Sequence, residues 1–399
     1  MPDRHFPVRP NLEQLKHQAK DLVREMRRDA PHTKLAEAQH QLARSYGLAS
    51  WPRLVLACRM TDAIWRDDAV AVRALVVKHP ALLVEDARGI KGNWGPPMSY
   101  AANLGRDRII AMLRDLGADD VQHAFERACL QGQIPTARQL HAMGGQPVTG
   151  SVMGPCETLN PEGLALLLEL GAELVDSRSD PRAPIALLLE TYVRNPAGKH
   201  ACLDLAAQRG IALPDTPPMA VHRGRVDLLE RHWQRDPTIA TRTFAHEEIF
   251  PQALGCHLDP SFALVGTPLG GATLLHMCVD FAEFDIARWL IAHGADVNAR
   301  AAVDAEGFGG HTPLFCAVVT PMMLTKDEIA VRLLLEHGAD PHVRASLRKQ
   351  LRGAGDDTLH VYRDITPLEW GERFHDQAFV NRAAMRQIVE RAGQIPECS

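Results

Sequence analysis

The stretch Thr273–Asp296, Thr-Leu-Leu-His-Met-Cys-Val-Asp-Phe-Ala-Glu-Phe-Asp-Ile-Ala-Arg-Trp-Leu-Ile-Ala-His-Gly-Ala-Asp, decides how the rest of the chain is read. Thr273 is a helix-capping residue, and Leu274, Leu275 and Cys278 give the following helix one apolar face. Asp285 opens a second helix with Ile286, Leu290 and Ile291 at helical spacing, and Gly294 supplies the left-handed residue that ends it. Two short antiparallel helices cannot bury both apolar faces alone. Such a pair requires a neighbour stacked on each side.

Those neighbours are present. Pro96–Asp119 keeps the same 24-residue frame and ends in the same Gly-Ala-Asp, while Thr312–Asp340 repeats it with five extra residues. Thr366-Pro-Leu-Glu-Trp-Gly starts the frame once more. With Thr273-Leu-Leu-His and Gly294-Ala-Asp-Val-Asn, the chain resembles the ankyrin repeat family over about 265–395 and again over 94–119. The resemblance implies an all-α solenoid of stacked helix pairs with projecting β-turn fingers; it implies no particular chemistry.

Composition sets the bounds. The 399 residues are 46% hydrophobic but only 5% aromatic, which suits closely stacked helices with Ala- and Leu-rich interiors. The net charge of −5 makes no general case for nucleic acid, although residues 1–60 carry eleven Lys/Arg against six Asp/Glu, a local +5 that leaves −10 for the remainder. The eight cysteines are scattered without a Cys-x-x-Cys pair, and several fall on buried helical positions; they read as reduced thiols in a cytoplasm. No apolar signal region opens the sequence, and no run approaches the ~18 apolar residues of a membrane span. The expectation is a cytoplasmic protein with no membrane association.

Taken in order, the sequence divides into a helical amino-terminal cap (1–60), degenerate ankyrin-like repeats (61–240), and well-formed repeats with long finger insertions (241–399). In the first segment, helices are expected from Asn11, from a Thr33 cap, and from Ser50-Trp51-Pro52. Leu42–Pro52 has the outline of a helix-turn-helix, but Trp51-Pro-Arg-Leu-Val-Leu-Ala-Cys is too apolar to address base edges, so the cap reading is preferred. Gly89–Pro97 reads as a finger with Trp94 at its tip.

The informative departures lie in the connections. About ten residues separate the closing Asp from the next Thr in an ordinary array of this family. Here Thr312 follows Asp296 by sixteen and Thr366 follows Asp340 by twenty-six, and the segment from Asp236 to Thr273 is also overlong. Insertions at equivalent points of stacked repeats land side by side, and long ordered loops usually carry function. Ser346–Asp357 reads as a mobile surface tip, and the glycines of Val303–His311 as places where backbone can approach a ligand.

These fingers supply the candidate residues. Glu247, Glu248, Asp304, Asp364 and Glu372 are candidate catalytic carboxylates, two of which would serve as general acid and base if one were desolvated. Trp94, His246, His311, Tyr362, Arg363, Trp370, Arg373 and His375 are candidate ligand-binding residues. Each also has a structural reading: Glu247 and Glu248 as first-turn acids, His311 as a turn-ordering residue, Glu372 and Arg373 as a solvated helix face. His276, Asp296 and Asp340 are read as structural. Hydrolase, zinc-protease, phosphate-loop and dinucleotide signatures are missing from the sequence. Cys256-His257-Leu-Asp259 is too small a cluster to assign a metal, so no metal and no cofactor are expected.

Two functions remain open. One is a scaffold that binds a partner protein through its concave face and long fingers. The other is a metal-independent hydrolase or lyase, such as a glycoside hydrolase, acting on a polar small molecule or carbohydrate. Nucleic-acid binding through the basic amino-terminal segment is a weaker third.

Overall fold

The computed structural model describes residues 4–321 and 325–392. Cys398 lies outside the described residues, and the other seven cysteines are free and buried. The chain divides into two compact units, Met1–Gly154 with Glu162–Ala172 and Pro155–Pro161 with Glu173–Ser399. Among the described residues no helix is long and apolar enough to cross a membrane.

In the first unit, helices span Leu12–Asp29, Leu35–Ser45 and Trp51–Trp65. Asn11 and Ser50 cap the first and third by accepting the backbone N–H of Gln14 and Arg53. Thr33 does not cap the second: its hydroxyl donates to the Ala30 carbonyl, and Lys34 takes the cap position without a side-chain bond. The third helix buries Leu54, Ala57, Cys58, Met60, Thr61, Ala63 and Ile64, so little of it is left to face a partner. Helix pairs follow, among them Pro97–Ala102 with Asp107–Asp115 and Val121–Leu130 with Ile134–Ala142.

The same backbone closure ends the second helix of pair after pair. Gly117 and Gly294 have φ of 98° and 94°. The next residue then donates its N–H back into the helix, from Ala118 to Leu113 at 3.0 Å and from Ala295 to Leu290 at 2.9 Å. This six-residue closure needs a left-handed residue, which is why Gly precedes Ala-Asp each time. Ala172 and Ile211 close on Leu167 and Ala206 in the same way, so the repeats whose side-chain signature has decayed retain the backbone one.

The second unit carries the pairs Leu274–Asp280 with Phe284–Ala292, Pro313–Val318 with Ile329–Glu336, and Pro367–Arg373 with Arg382–Ala392. Its fingers contain four strands: β1 (Thr243–Phe244), β2 (Ala272–Thr273), β3 (Ala345–Lys349) and β4 (His360–Ile365). β1 pairs antiparallel with β2, and β3 with β4. The stretch expected to be a mobile tip therefore begins as a strand. The cause is its alternation: Ala345, Leu347, Lys349 and Leu351 point inward and are 1–5% exposed.

Adjacent fingers are tied by main chain. Ala302 donates to the Gly271 carbonyl at 2.8 Å, and Gly309 donates to Ser346 in β3 at 2.7 Å. Gly309 adopts φ of 119°, and a Cβ there would stand 2.0 Å from the Ala302 oxygen. Its close approach is thus to neighbouring backbone, where the sequence suggested a ligand.

Two buried histidines hold this region together. His276 Nδ1 accepts the Thr273 N–H at 3.2 Å, leaving Nε2–H to reach the His311 carbonyl at 3.1 Å. His311 Nε2 meets the Pro268 carbonyl at 2.9 Å. Burial pushes His276 down to about 3 and His311 down to about 4. An unfolded histidine titrates near 6.5, so between that value and about 4 the unfolded chain binds the extra protons. Stability from these sites is complete above the window and falls as pH drops through it, by up to ~1.4 kcal/mol per pH unit per site. Urea unfolding at about pH 7 and about pH 5 should show this loss, and His311→Gln should reduce it. Equal pH dependence in the variant would contradict the assignment for His311.

Candidate functional site

A cavity of about 620 Å³ opens between the fingers, walled by β1, the Asp259–Ser261 turn, the Asp304–Gly309 loop and β3. His246, Asp304 and His311, singled out from the sequence, line it together with Asp259, Phe308, Arg348 and Lys349. The volume lies in the range of small-ligand sites.

The walls are well determined. Asp259 accepts the Ser261 N–H at 3.0 Å and its hydroxyl at 2.7 Å, which hold its carboxyl below the usual range, and it faces Arg352 at 3.3 Å. Asp304 accepts the N–H groups of Phe308 at 2.9 Å and Glu306 at 3.0 Å. The Phe308 bond is the largest cause of its lowered pKa, with Arg348 contributing. Arg348 bridges Asp304 and Glu306 at 2.6 Å each. Phe308 lies under two guanidinium groups, Arg348 at 4.7 Å and Arg363 at 3.7 Å from the ring centre. His246 Nε2 contacts the His257 carbonyl at 3.0 Å. Behind it, buried Glu190 binds the His257 N–H at 2.9 Å and ring Nδ1 at 3.0 Å, and that ring stacks on Phe262.

Lys349 is the exception to this pairing. It is only 4% exposed, lines the cavity, and has no hydrogen-bond or ion-pair partner for Nζ among the described residues. Burial pushes its ammonium down to about 8, against the pull of Asp280, Asp259 and Asp356. Sequence reading missed it because Arg-Lys-Gln reads as a charged surface; the inward row Ala345, Leu347, Lys349 was the available signal.

The remaining candidates are dispersed. Glu247 and Glu248 are exposed on the short helix His246–Ile249, where Glu248 accepts the Ala245 N–H at 2.8 Å and pairs with Arg242. Asp364 is exposed and paired with Arg344 at 2.9 Å, while Glu372 and Arg373 lie exposed on the helix Pro367–Arg373. None of the five candidate carboxylates is buried, so the desolvation needed to keep a proton on one of them is missing. Trp370 is fully buried core whose Nε1–H donates to Thr267 Oγ1 at 3.0 Å, so it offers no surface to a ligand. Trp94 belongs to the first unit, packed on Tyr100 at 5.0 Å. Tyr362 and His375 meet at 2.8 Å in a separate cluster with Asp356 and His360. The Cys256-His257-Asp259 trio is no ligand set: burial raises the Cys256 thiol, and the other two are engaged as above.

Stacked helix pairs closed by left-handed glycines and joined by finger loops define the class, a helical repeat protein with an accessory cavity. Residues 239–345 match the model for ankyrin repeats (3 copies), so that span carries ankyrin repeats. Among solved structures it is similar to the human ASB11 ankyrin repeat domain, at 17% identity and a TM-score of 0.25, covering 74% of this chain and 97% of that one. No curated protein matches the sequence.

A lysine titrating near 8 is about half free base at that pH, against well under 1% for one near 10.4. A small amine-selective reagent at about pH 8 should therefore modify Lys349 ahead of the surface lysines, as read by peptide mass spectrometry. Labelling of Lys349 no faster than that of Lys16 or Lys20 would show an ordinary or inaccessible amine.

Proposed function

We propose that this protein is an ankyrin-repeat scaffold that binds a partner protein through its concave face and long fingers, with the cavity receiving an acidic anchor of the partner. The observation that carries the reading is Lys349, a cation on the cavity wall with no hydrogen-bond or close ion-pair partner among the described residues. A buried ammonium without a counter-ion is costly, and an incoming carboxylate would supply the missing partner in a low-dielectric setting. Phe308 and the aliphatic stem of Arg348 offer apolar contact beside it. The seven buried free thiols support action in a reducing compartment, the cytoplasm.

No comparable observation favours hydrolysis. A carboxylate pair of that kind needs one member kept protonated by burial, and Glu247, Glu248, Asp304, Asp364 and Glu372 are all exposed. We retain the binding reading alone.

The test is selection of a random peptide display library on the full chain. Peptides rich in Asp or Glu should be enriched, and Lys349→Met should weaken their binding at least ~10-fold, about 1.4 kcal/mol, while Glu372→Gln leaves it unchanged. Enriched peptides without acidic bias, or acidic peptides that bind Lys349→Met equally well, would remove the cavity from the interface.

A further inference from the structure

We propose that Asp356, His360 and His375 form a binding site for a divalent first-row transition-metal ion, with zinc the ion that the donor set fits best. The inference is independent of the binding reading above. The three side chains come from separate places: the loop before β4, the first residue of β4, and the turn after the helix Pro367–Arg373. One ligand atom from each lies within 4.8 Å of the others. Asp356 Oδ1 is 3.4 Å from His360 Nε2, and Oδ2 is 3.1 Å from His375 Nε2. Tetrahedral zinc with bonds of about 2.0–2.1 Å sets its ligand atoms roughly 3.3 Å apart. The carboxylate therefore already stands from each imidazole at the separation that an ion requires.

Hydrogen bonding alone leaves the cluster unfinished. His375 Nε2 is shut off from solvent and faces Asp356 Oδ2 at 3.1 Å without a well-formed hydrogen bond, while His360 Nε2 meets Asp356 Oδ1 only in a long one of 3.4 Å. The two imidazoles stack face to face with centres 3.7 Å apart and planes within 4°. Two imidazolium cations would repel at that distance, whereas two neutral rings each have one lone pair to give.

Supporting contacts orient the donors. The Tyr362 hydroxyl meets His375 Nδ1 at 2.8 Å and accepts the His375 backbone N–H at 3.0 Å. When Nδ1 carries the proton and donates it to that oxygen, Nε2 is left as a bare lone pair beside Asp356. Asp356 is itself held by the N–H groups of Thr358 at 3.0 Å and Leu351 at 3.2 Å. Binding requires the parallel rings to fan open so that both lone pairs converge. His360, with 31% of its side chain exposed, has the room to swing. Three protein donors leave a fourth position for water or for an atom of a bound partner.

The donor types select the ion. Two imidazoles with one carboxylate suit zinc and its first-row neighbours, while magnesium and calcium favour oxygen alone. The ion would pin the bend at Asp356 to the end of the helix Pro367–Arg373. That bend joins the two strands of the hairpin on which Lys349 sits, so metal would stiffen a cavity wall.

The full chain, stripped with a chelator, is titrated with Zn²⁺ and in parallel with Co²⁺, whose visible absorption reports its ligands. One equivalent of zinc should be bound and survive gel filtration, unaffected by excess Mg²⁺. Affinity should fall at least ~10-fold in His360→Ala and in Asp356→Asn, with the Co²⁺ spectrum changed. Both positions are partly exposed, and unchanged far-UV circular dichroism in the two variants separates lost ligation from lost folding. Stoichiometric zinc retained in both variants would place the ion elsewhere and overturn the proposal. Absence of saturable zinc binding in the parent chain, or displacement by magnesium, would overturn it as well.

Discussion

The finger region depends on main-chain hydrogen bonds that run from one insertion to the next. Ala302 to Gly271 and Gly309 to Ser346 join three loops that are far apart in sequence. A loop longer than a tight turn carries backbone donors and acceptors that must be satisfied, and neighbouring loops of equal displacement can satisfy each other. Such bonds do not depend on side-chain identity, so the surrounding residues are free to vary. Gly309 is the exception, because any Cβ would meet the Ala302 carbonyl. Once β3 is held beside the second finger, its alternate side chains must point inward, and the cavity has its wall.

Charge is treated in opposite ways on the rim and inside. On the rim, Asp304, Glu306 and Arg348 form exposed pairs that contribute little stability each but fix the loop's geometry. Inside, Arg194 and Asp280 are almost wholly buried and meet at 2.7 Å, with Arg194 also donating to the Asp280 carbonyl at 2.9 Å. Lys326 directs its ammonium at Thr320, Pro321 and Phe379 oxygens. Arg194 and Lys326 thus have close oxygen partners, the pattern expected where an unpaired charge would be destabilising, whereas buried Lys199 has no hydrogen bond and stands 3.7 Å from Glu283. Lys349 departs from that pattern on a surface with open volume in front of it.

Much of the repeat architecture was legible because its signals are local. Gly294-Ala-Asp specifies a left-handed closure that three or four residues determine, and the closure recurs at Gly117 as read. The crowding of long fingers was legible from spacing alone, since equivalent insertions in a stack must be neighbours. What escaped were features set by pairing across distance. The hairpin β3–β4 was hidden because Arg348, Lys349, Gln350 and Arg352 suggest solvent, while the inward row between them is short. Trp370 reads as a ligand-facing aromatic because a helix-start tryptophan looks the same in sequence whether it faces a cavity or Thr267. His375 is a sequence candidate, but a strand and a helix separate it from Asp356 and His360, and no spacing rule joins it to them.

The location of the cavity follows from how the two layers pack. The helix pairs interlock closely, and Leu274, Leu275, Met277, Cys278, Ala287 and Leu290 have essentially no exposed surface. A layer packed to that density cannot open a void for a ligand without losing the burial that joins one pair to the next. The fingers carry no such obligation, because their backbone is satisfied laterally and only half of each strand faces inward. Lengthening them converts a row of turns into walls and leaves the helical stack untouched. Variation in finger length is therefore the physical route by which a repeat array acquires a concave, chemically specific site, and Phe308, Arg348 and Lys349 occupy the positions that the added length creates.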